Sequence, residues 1–376
     1  MTWTRQHSRL ARAEEWFLPG GGVFLGTIGH LVAADREQLT VEALSVEAIT
    51  TSEIEGEMLD RASVQSSIRR QLGLDTDLRR VRAAEQGIAE MMVDLHRSFA
   101  APLSNEMLFN WHKMVTNGRR DLKCVGYYRR HSEPMQVVSG PIGTPKVHYE
   151  APPSADVPRE MSRFIDWFNR TAPGGVAPLP ALTRAGLAHF HFECIHPFED
   201  GNGRIGRAIS EKVLAQTLGR PTLTALAATI LAKRKGYYEA LEKSNTGTEL
   251  TDWLAWFAAA ALEAQLRAVA LVEFLIDKTR LLDTLRGQLN GRQQKALLRV
   301  LREGPEGFEG GLSAGKYISI TKASMPTATR DLADMVAKGV LTRSGERRYA
   351  RYHAPLSLRP VPSISIGQQG QIIEDG

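Results

Sequence analysis

The chain of 376 residues has few cysteines, no long uncharged apolar run and no low-complexity tract. Its two cysteines, Cys124 and Cys194, are too few for a disulfide scaffold and point to a reducing, cytoplasmic setting. A membrane-spanning helix needs ~18 or more apolar residues in a row. The richest stretch here, AWFAAAALEAQLRAVALVEFLI, is interrupted by Glu263 and Arg267. The opening residues, MTWTRQHSRLARAEEWF, are charged throughout and lack the apolar centre of a signal peptide. The expectation is a soluble cytoplasmic protein without membrane partners. At ~100–200 residues per domain it has two or three domains.

Charge is present but uneven. The whole chain carries a formal +5. Between Arg292 and Arg351 there are twelve Lys and Arg against six Asp and Glu, a surplus of +6. The remainder holds 35 basic and 36 acidic residues and is nearly neutral. A basic C-terminal module on a neutral body says something about partners and nothing about fold.

Helical periodicity dominates. Apolar positions at Leu39, Val41, Leu44, Ile49 and Ile54 predict one or two helices over 30–56, ending at Gly56. Further helices are predicted over 60–73, 80–99 and 105–117, with Gly73 and Gly118 at C-terminal stops. Residues 124–153 change character. Two extended stretches flank Ser139-Gly140-Pro141-Ile142-Gly143, the pattern of a β-hairpin with a proline-marked turn. Helices resume over 155–170, 180–194, 203–218, 223–245 and 249–279. The basic module predicts helices over 290–303, 313–320 and 324–339, the last with Ser324 as N-cap, Pro326 near its start and Gly339 at its end. A hairpin turning at Ser344-Gly345 follows, and the tail after Pro355 is expected to fray.

One segment, HFECIHPFEDGNGRIGRAISEKVL at 191–214, concentrates chemistry. Pro197 biases His196 to an extended backbone and stops the preceding helix. Gly201-Asn202-Gly203 can present bare N–H groups at the start of the next helix, where the helix dipole favours an anion. Arg204 and Arg207 lie on one face of that helix, within reach of further phosphates. Asp200 is placed to hold a hard cation such as Mg²⁺, and His196 titrates in the range suited to taking a proton from a hydroxyl.

The run HPFEDGNGRIGR fills every specified position of HxFx(D/E)GNGRxxR and resembles the motif of the Fic family. That resemblance implies transfer of AMP from ATP to a Ser, Thr or Tyr hydroxyl of a target protein. In this chain it implies that His196 takes the hydroxyl proton and Asp200 holds Mg²⁺. It implies that Gly201, Asn202 and Gly203, with Ile205 and Gly206 in the same turn, form the phosphate cradle. Arg204 would meet the β-phosphate, Arg207 the γ-phosphate, and Phe198 would anchor the loop in the core. Doc-type toxins depart from the pattern at the position of Gly201, so the intact GNG favours AMP transfer.

Thr51-Ser52-Glu53-Ile54-Glu55-Gly56 resembles the inhibitory helix, (S/T)xxxE(G/N), of one Fic class. The resemblance implies that Glu55 pairs with Arg207 and takes the place of the γ-phosphate, with Thr51 and Ser52 part of the same pattern. The same glutamate could orient a water for AMP removal. The hairpin at 126–150 matches the family's flap, and Tyr237-Tyr238 matches the place of its adenine pocket. The C-terminal module resembles the winged helix-turn-helix domains fused to Fic domains. DNA contacts would then fall to Thr327, Thr329 and Arg330, with Arg343, Arg347 and Arg348 on phosphates.

The combined expectation is a mainly α protein: an N-terminal helical region (1–100) with the inhibitory helix at about 40–56, a Fic catalytic domain (101–280), a winged helix (281–355) and a tail (356–376). It is expected to act as a homodimeric protein adenylyltransferase using ATP and Mg²⁺, held off by Glu55. The alternatives are a DNA-binding regulator with a nucleotide-sensing Fic domain, use of another phosphate donor, or removal of AMP.

Overall fold

The structure is a computed structural model. It describes residues 7–29, 33–74, 79–139, 146–221, 224–245, 247–302 and 310–375, together with 304 and 308. The elements run α1 (His7–Gly29), α2 (Ala33–Ile54), α3 (Arg61–Gln71), α4 (Ala83–Ser98), α5 (Asn105–Val115), β1 (Gln136–Ser139), β2 (Lys146–Glu150), α6 (Val157–Arg170), α7 (Ala181–Ile195), α8 (Asn202–Leu218), α9 (Leu226–Ala232), α10 (Arg234–Asn245) and α11 (Thr251–Thr284). Then follow α12 (Gly291–Arg302), α13 (Ala314–Thr321), α14 (Met325–Ala337), β3 (Thr342–Ser344), β4 (Arg351–His353), β5 (Ser363–Ile366) and β6 (Ile372–Asp375). The protein is mainly helical, and its strands form three separate antiparallel pairs. No helix among the described residues is long and apolar enough to cross a membrane.

Two compact units emerge: Met1–His30 with Ala43–Ala268 and Val361–Gly376, and Leu31–Glu42 with Val269–Pro360. In the first, α7 and α8 form the centre. Helix α7 is apolar on nearly every face and almost wholly buried, the pattern of a helix wrapped by others. Glu14 of α1 accepts from the backbone N–H groups of Leu182 and Thr183 at 3.0 and 2.7 Å, satisfying orphan donors at the start of α7. Trp253 donates its indole N–H to the Gly186 carbonyl at 2.9 Å. A Cβ at Gly186 would strike Leu254 and Phe257, so this close approach of α11 to α7 requires glycine. Trp253 and Phe257 are fully buried, and Trp256 partly so. The predicted helix over 223–245 breaks into α9 and α10 around Lys233, whose N–H bonds back to Thr229 and Ile230.

The second unit packs α12, α13 and α14 around Leu297, Tyr317, Leu332 and Met335, followed by the β3–β4 hairpin. Ser313 caps α13 through the Lys316 N–H at 3.1 Å. Asp331 is buried yet paired, accepting from Arg292 and from the Tyr317 hydroxyl, each at 2.9 Å.

The tail corrects expectation. It does not fray as one piece after Pro355. Residues 363–366 and 372–375 pair as a hairpin that belongs to the first unit. Ile364 and Ile366 are buried, and the Ile364 N–H donates to Glu263 at 3.2 Å. Arg9 donates to the Gly367 carbonyl at 3.1 Å and to Asp252 at 2.6 Å. Glu263, one of the charges that interrupt the apolar run of α11, also pairs with Lys233 at 2.5 Å and Arg267 at 2.8 Å. Deleting 361–376 exposes the seat of two isoleucines and removes the Ile364 N–H from Glu263. The expected loss is on the order of 2–4 kcal/mol, read as a lower thermal midpoint of the truncated chain.

Candidate active site

The site is built where α7 ends and α8 begins. His196 caps α7 in the left-handed region, at φ 47° and ψ 60°, a strained conformation for a residue with a Cβ, and not in the extended backbone expected before Pro197. Pro197 follows and removes the option of continuing the helix. The loop is then locked from inside. Asn202 accepts from the Phe198 N–H at 3.0 Å and donates to the Phe198 carbonyl at 2.9 Å. Phe198, fully buried, stacks on His112 at 4.2 Å between ring centres. His112 accepts from the Gly126 N–H at 2.9 Å, and burial pushes its imidazole down to about 4, so it stays neutral. Gly201 sits at φ 82°, with Val115 where a Cβ would go.

Arg129 holds the strained turn from outside. It is 1% exposed and donates to the carbonyls of His196 (2.8 Å), Pro152 (2.5 Å) and Ile195 (3.4 Å), and to the Ser154 hydroxyl (2.8 Å). One guanidinium thus satisfies the carbonyls that the end of α7 leaves open.

The charges follow. Burial pushes the His196 imidazole down to about 4, so it is neutral through the physiological range. Burial alone would raise Asp200. Arg204, the Gly201 N–H and Arg119 outweigh it and hold the carboxyl below its usual range. Arg204 reaches Glu57 at 2.8 Å and Asp200 at 3.7 Å. Arg207 is 1% exposed and fully engaged by α2: it donates to the Thr51 hydroxyl (2.7 Å), to the Thr51 carbonyl (2.9 Å) and to Glu55 (2.7 Å). Glu193, one turn before His196, is pushed up to about 8 by burial, opposed by Arg207 and helped by Glu55.

A cleft of about 610 Å³ is lined by Glu55, Glu193, His196, Gly203, Tyr237 and Tyr238, among others. Tyr149 of β2 donates to the Cys194 carbonyl at 2.8 Å, tying the hairpin to α7. Tyr237 is buried, with its hydroxyl on His189 at 2.8 Å, while Tyr238 is 41% exposed. Across Glu55 lies a second cleft, about 480 Å³, lined by Glu57, Asn117, Arg119, Asp200 and Arg204.

Most of the residues singled out from sequence therefore meet around Glu55. Three further placements follow. Ile205 is fully buried in the core, so its side chain offers nothing to a ligand. Gly206 faces the Glu193 carboxyl and His189, between α7 and α8. Ser52 is buried, and its hydroxyl has no hydrogen-bond partner, unlike Thr51. Thr329, Arg330, Arg343 and Arg347 are exposed in the other unit, Thr327 is half-buried against Ser324, and the Arg348 side chain lies outside the described residues. The turn at 140–145 of the expected flap lies outside them too. Sequence reasoning missed Arg129, Arg119, Glu57 and Glu193. An arginine in a polar stretch carries no local signal that it will be buried under a carbonyl cluster.

His196, Gly203 at the start of α8 and Glu55, the partner of Arg207, line one cleft, and Arg204 lines the adjoining one with Glu55 and Asp200; a helix N-terminus and guanidiniums of this kind suit anionic phosphate groups. The Fic/DOC family model matches residues 102–214, and a family described as a domain of unknown function (DUF4172) matches residues 1–74. A protein adenylyltransferase Fic of Nematostella vectensis is 31% identical over 96 residues, 26% of this chain and 21% of that protein. Protein adenylyltransferase fic-1 of Caenorhabditis elegans is 30% identical over 91 residues, 24% of this chain and 16% of that protein. The chain thus aligns with about a fifth of the length of these curated relatives. The crystal structure of a Fic family protein from Desulfovibrio desulfuricans superposes with a TM-score of 0.52 at 19% identity, covering 94% of this chain and 97% of that one. A Fic domain containing signaling protein from Bacteroides thetaiotaomicron gives 0.51 at 17% identity, covering 68% and 98%. Residues 102–214 thus form a Fic domain, and the fold is that of the Fic structures it matches.

Replacing Arg129 by Leu leaves several buried carbonyls without a donor. The expected cost is about 2–4 kcal/mol in a denaturant melt, with loss of whatever activity depends on the His196 turn.

Proposed function

We propose that the chain is a protein adenylyltransferase that moves AMP from ATP to a hydroxyl of a target protein. The observation that carries this is the convergence on one cleft of a neutral His196, Gly203 at the open start of α8, and Glu55, the carboxylate paired with the buried Arg207. In this reading His196 accepts the proton of the target hydroxyl. The freed oxygen forms a bond to the α-phosphorus, the bond from that phosphorus to the bridging oxygen breaks, and pyrophosphate leaves. The α8 N–H groups and Arg204 hold the α- and β-phosphates, and Arg207 the γ-phosphate, so catalysis rests on positioning and charge neutralisation. The edge of the β1–β2 hairpin would hold the target backbone, which reads little sequence.

Asp200 fits Mg²⁺. It is an ionised, half-buried carboxylate at the edge of the phosphate cradle, and no group of three or more His, Cys, Asp or Glu gathers for a metal among the described residues. A cation there would draw most of its ligands from water and phosphate, as Mg²⁺ does. Bound Mg²⁺ would supply charge neutralisation on the phosphates.

Glu55 would hold the enzyme off, since Arg207 cannot pair with it and with a γ-phosphate through the same fork. Glu55→Gly is expected to raise incorporation of labelled AMP from ATP with Mg²⁺, and adding His196→Ala to abolish it. No label on any protein from the Glu55→Gly chain would sink the reading. The rate should rise with pH through about 4, where His196 loses its proton, and be level before neutrality. An unburied histidine would level off only above about 6.5.

A second reading concerns the C-terminal unit alone, as a winged helix on DNA. It is supported by the exposed Thr329 and Arg330 on α14 and the exposed Arg343 and Arg347 beside the hairpin. A mobility shift that weakens steeply with salt is the expected result, and no shift at low salt would remove the reading.

A further inference from the structure

Helix α2 ends in a tightly specified way. The Gly56 N–H bonds to the Glu53 carbonyl at 2.9 Å and the Glu57 N–H to the Ser52 carbonyl at 3.0 Å, with Gly56 at φ 83°. This pair of bonds is the Schellman stop, which ties the backbone of Gly56 and Glu57 back to the last turn of α2. The residue after the glycine in such a stop usually carries an apolar side chain that packs back on the helix. Here it is Glu57, and its carboxylate goes elsewhere, to Arg204 at 2.8 Å. Arg204 is 6% exposed in its side chain, and its Nε is buried with no partner, so its one close ion pair is with Glu57.

The segment Glu55-Gly56-Glu57 therefore presents two carboxylates on either side of a left-handed glycine, each on a different arginine of α8. The first meets Arg207 at 2.7 Å and the second Arg204 at 2.8 Å. Two anionic groups joined by a short, fixed backbone lie along two guanidiniums one helical turn apart, much as adjacent phosphates of one chain would. Glu55 and Glu57 both line the cleft that holds Arg204 and Asp200.

We propose that Glu57 is a second blocking carboxylate, which occupies the Arg204 subsite as Glu55 occupies that of Arg207, so that the nucleotide-free site is closed at two consecutive phosphate positions. This rests on the functional reading above, in which Arg204 meets the β-phosphate. The consequence is selective. AMP has no β-phosphate and does not compete with Glu57, whereas ADP competes with Glu57 alone and ATP with both carboxylates. Because the Glu57 carboxylate is 37% exposed, the pair is screened and the block is partial.

The test is calorimetry with ADP and with AMP, each in Mg²⁺, on the full chain, on Glu57→Ala and on Glu55→Gly, with thermal melts as a control for folding. Glu57→Ala should raise ADP affinity about fivefold and leave AMP affinity unchanged. Equal changes for AMP and ADP, or none for either while Glu55→Gly binds ADP, would overturn the second block and leave the functional reading standing. No binding of ADP or ATP by any of the three proteins would overturn both. Gly56→Ala supplies an independent arm. Nothing lies within 4 Å of the added Cβ, so the change acts only through the strained φ and should loosen both carboxylates together. Gly56→Ala should raise ADP affinity at least as much as Glu57→Ala, and an unchanged value would also count against the proposal.

Discussion

A guanidinium buried to 1% exposure cannot stand alone, and Arg207 is such a group at the centre of the fold. Its charge is kept by burial partners, chiefly Glu55, with Thr51 taking its other donors. Removing one member of such a pair strands the other in a poor solvent, which costs far more than the net worth of the pair. This requirement ties α2 to α8 and makes the position of the N-terminal helix depend on what sits at Arg207. The same helix is pinned a second time by Glu47, which accepts from the Ala227 N–H at the start of α9 and is raised well above its usual range by burial. Arg207 thus holds the end of α2 through Thr51 and Glu55, and the Ala227 N–H holds the same helix two turns earlier through Glu47.

Positioning of His196 has a different physical basis. A left-handed histidine before a proline is unfavourable by itself, and no glycine relieves it. It persists because every neighbour is over-determined. Asn202 clamps Phe198 at both its N–H and its carbonyl, Phe198 is fixed by its stack on His112, and Arg129 collects the carbonyls that the turn exposes. The strain places an imidazole at the floor of the cleft rather than along the helix. Burial at that floor then keeps it unprotonated.

How much of this is readable in the residues follows from how local each cause is. The elements α3 to α8 fall close to their expected limits because caps and stops are local: Asp60 and Ser104 accept at their helix starts, and Gly73 and Gly118 take positive φ. The loop at 196–207 is legible because its glycines, proline and arginines act within a few bonds of one another. Arg129 is invisible beforehand, since its partners come from Ile195, His196 and Pro152, distant in sequence. The hairpin at 363–375 escaped for a related reason. Its short alternation SISIGQQGQII means little until Glu263, in the middle of α11, supplies an acceptor for its edge.

The weight of charge also shifts once placement is known. The net +5 describes the surface and partners of the chain, whereas the cleft is governed by local compensation. Arg204 and Arg207 face Glu57 and Glu55, and Asp200 is held by Arg119 and Arg204. Each cation there already has an anion, and the anions that matter most hang from one segment of α2. A polyphosphate entering this cleft does not find an empty positive pocket. It must exchange with carboxylates that are close in charge, near in geometry and tethered, so they compete at a high effective concentration. Under the proposed function, affinity for the phosphates would be set by a difference between two sets of ion pairs, and a change at the end of α2 would alter which nucleotide binds.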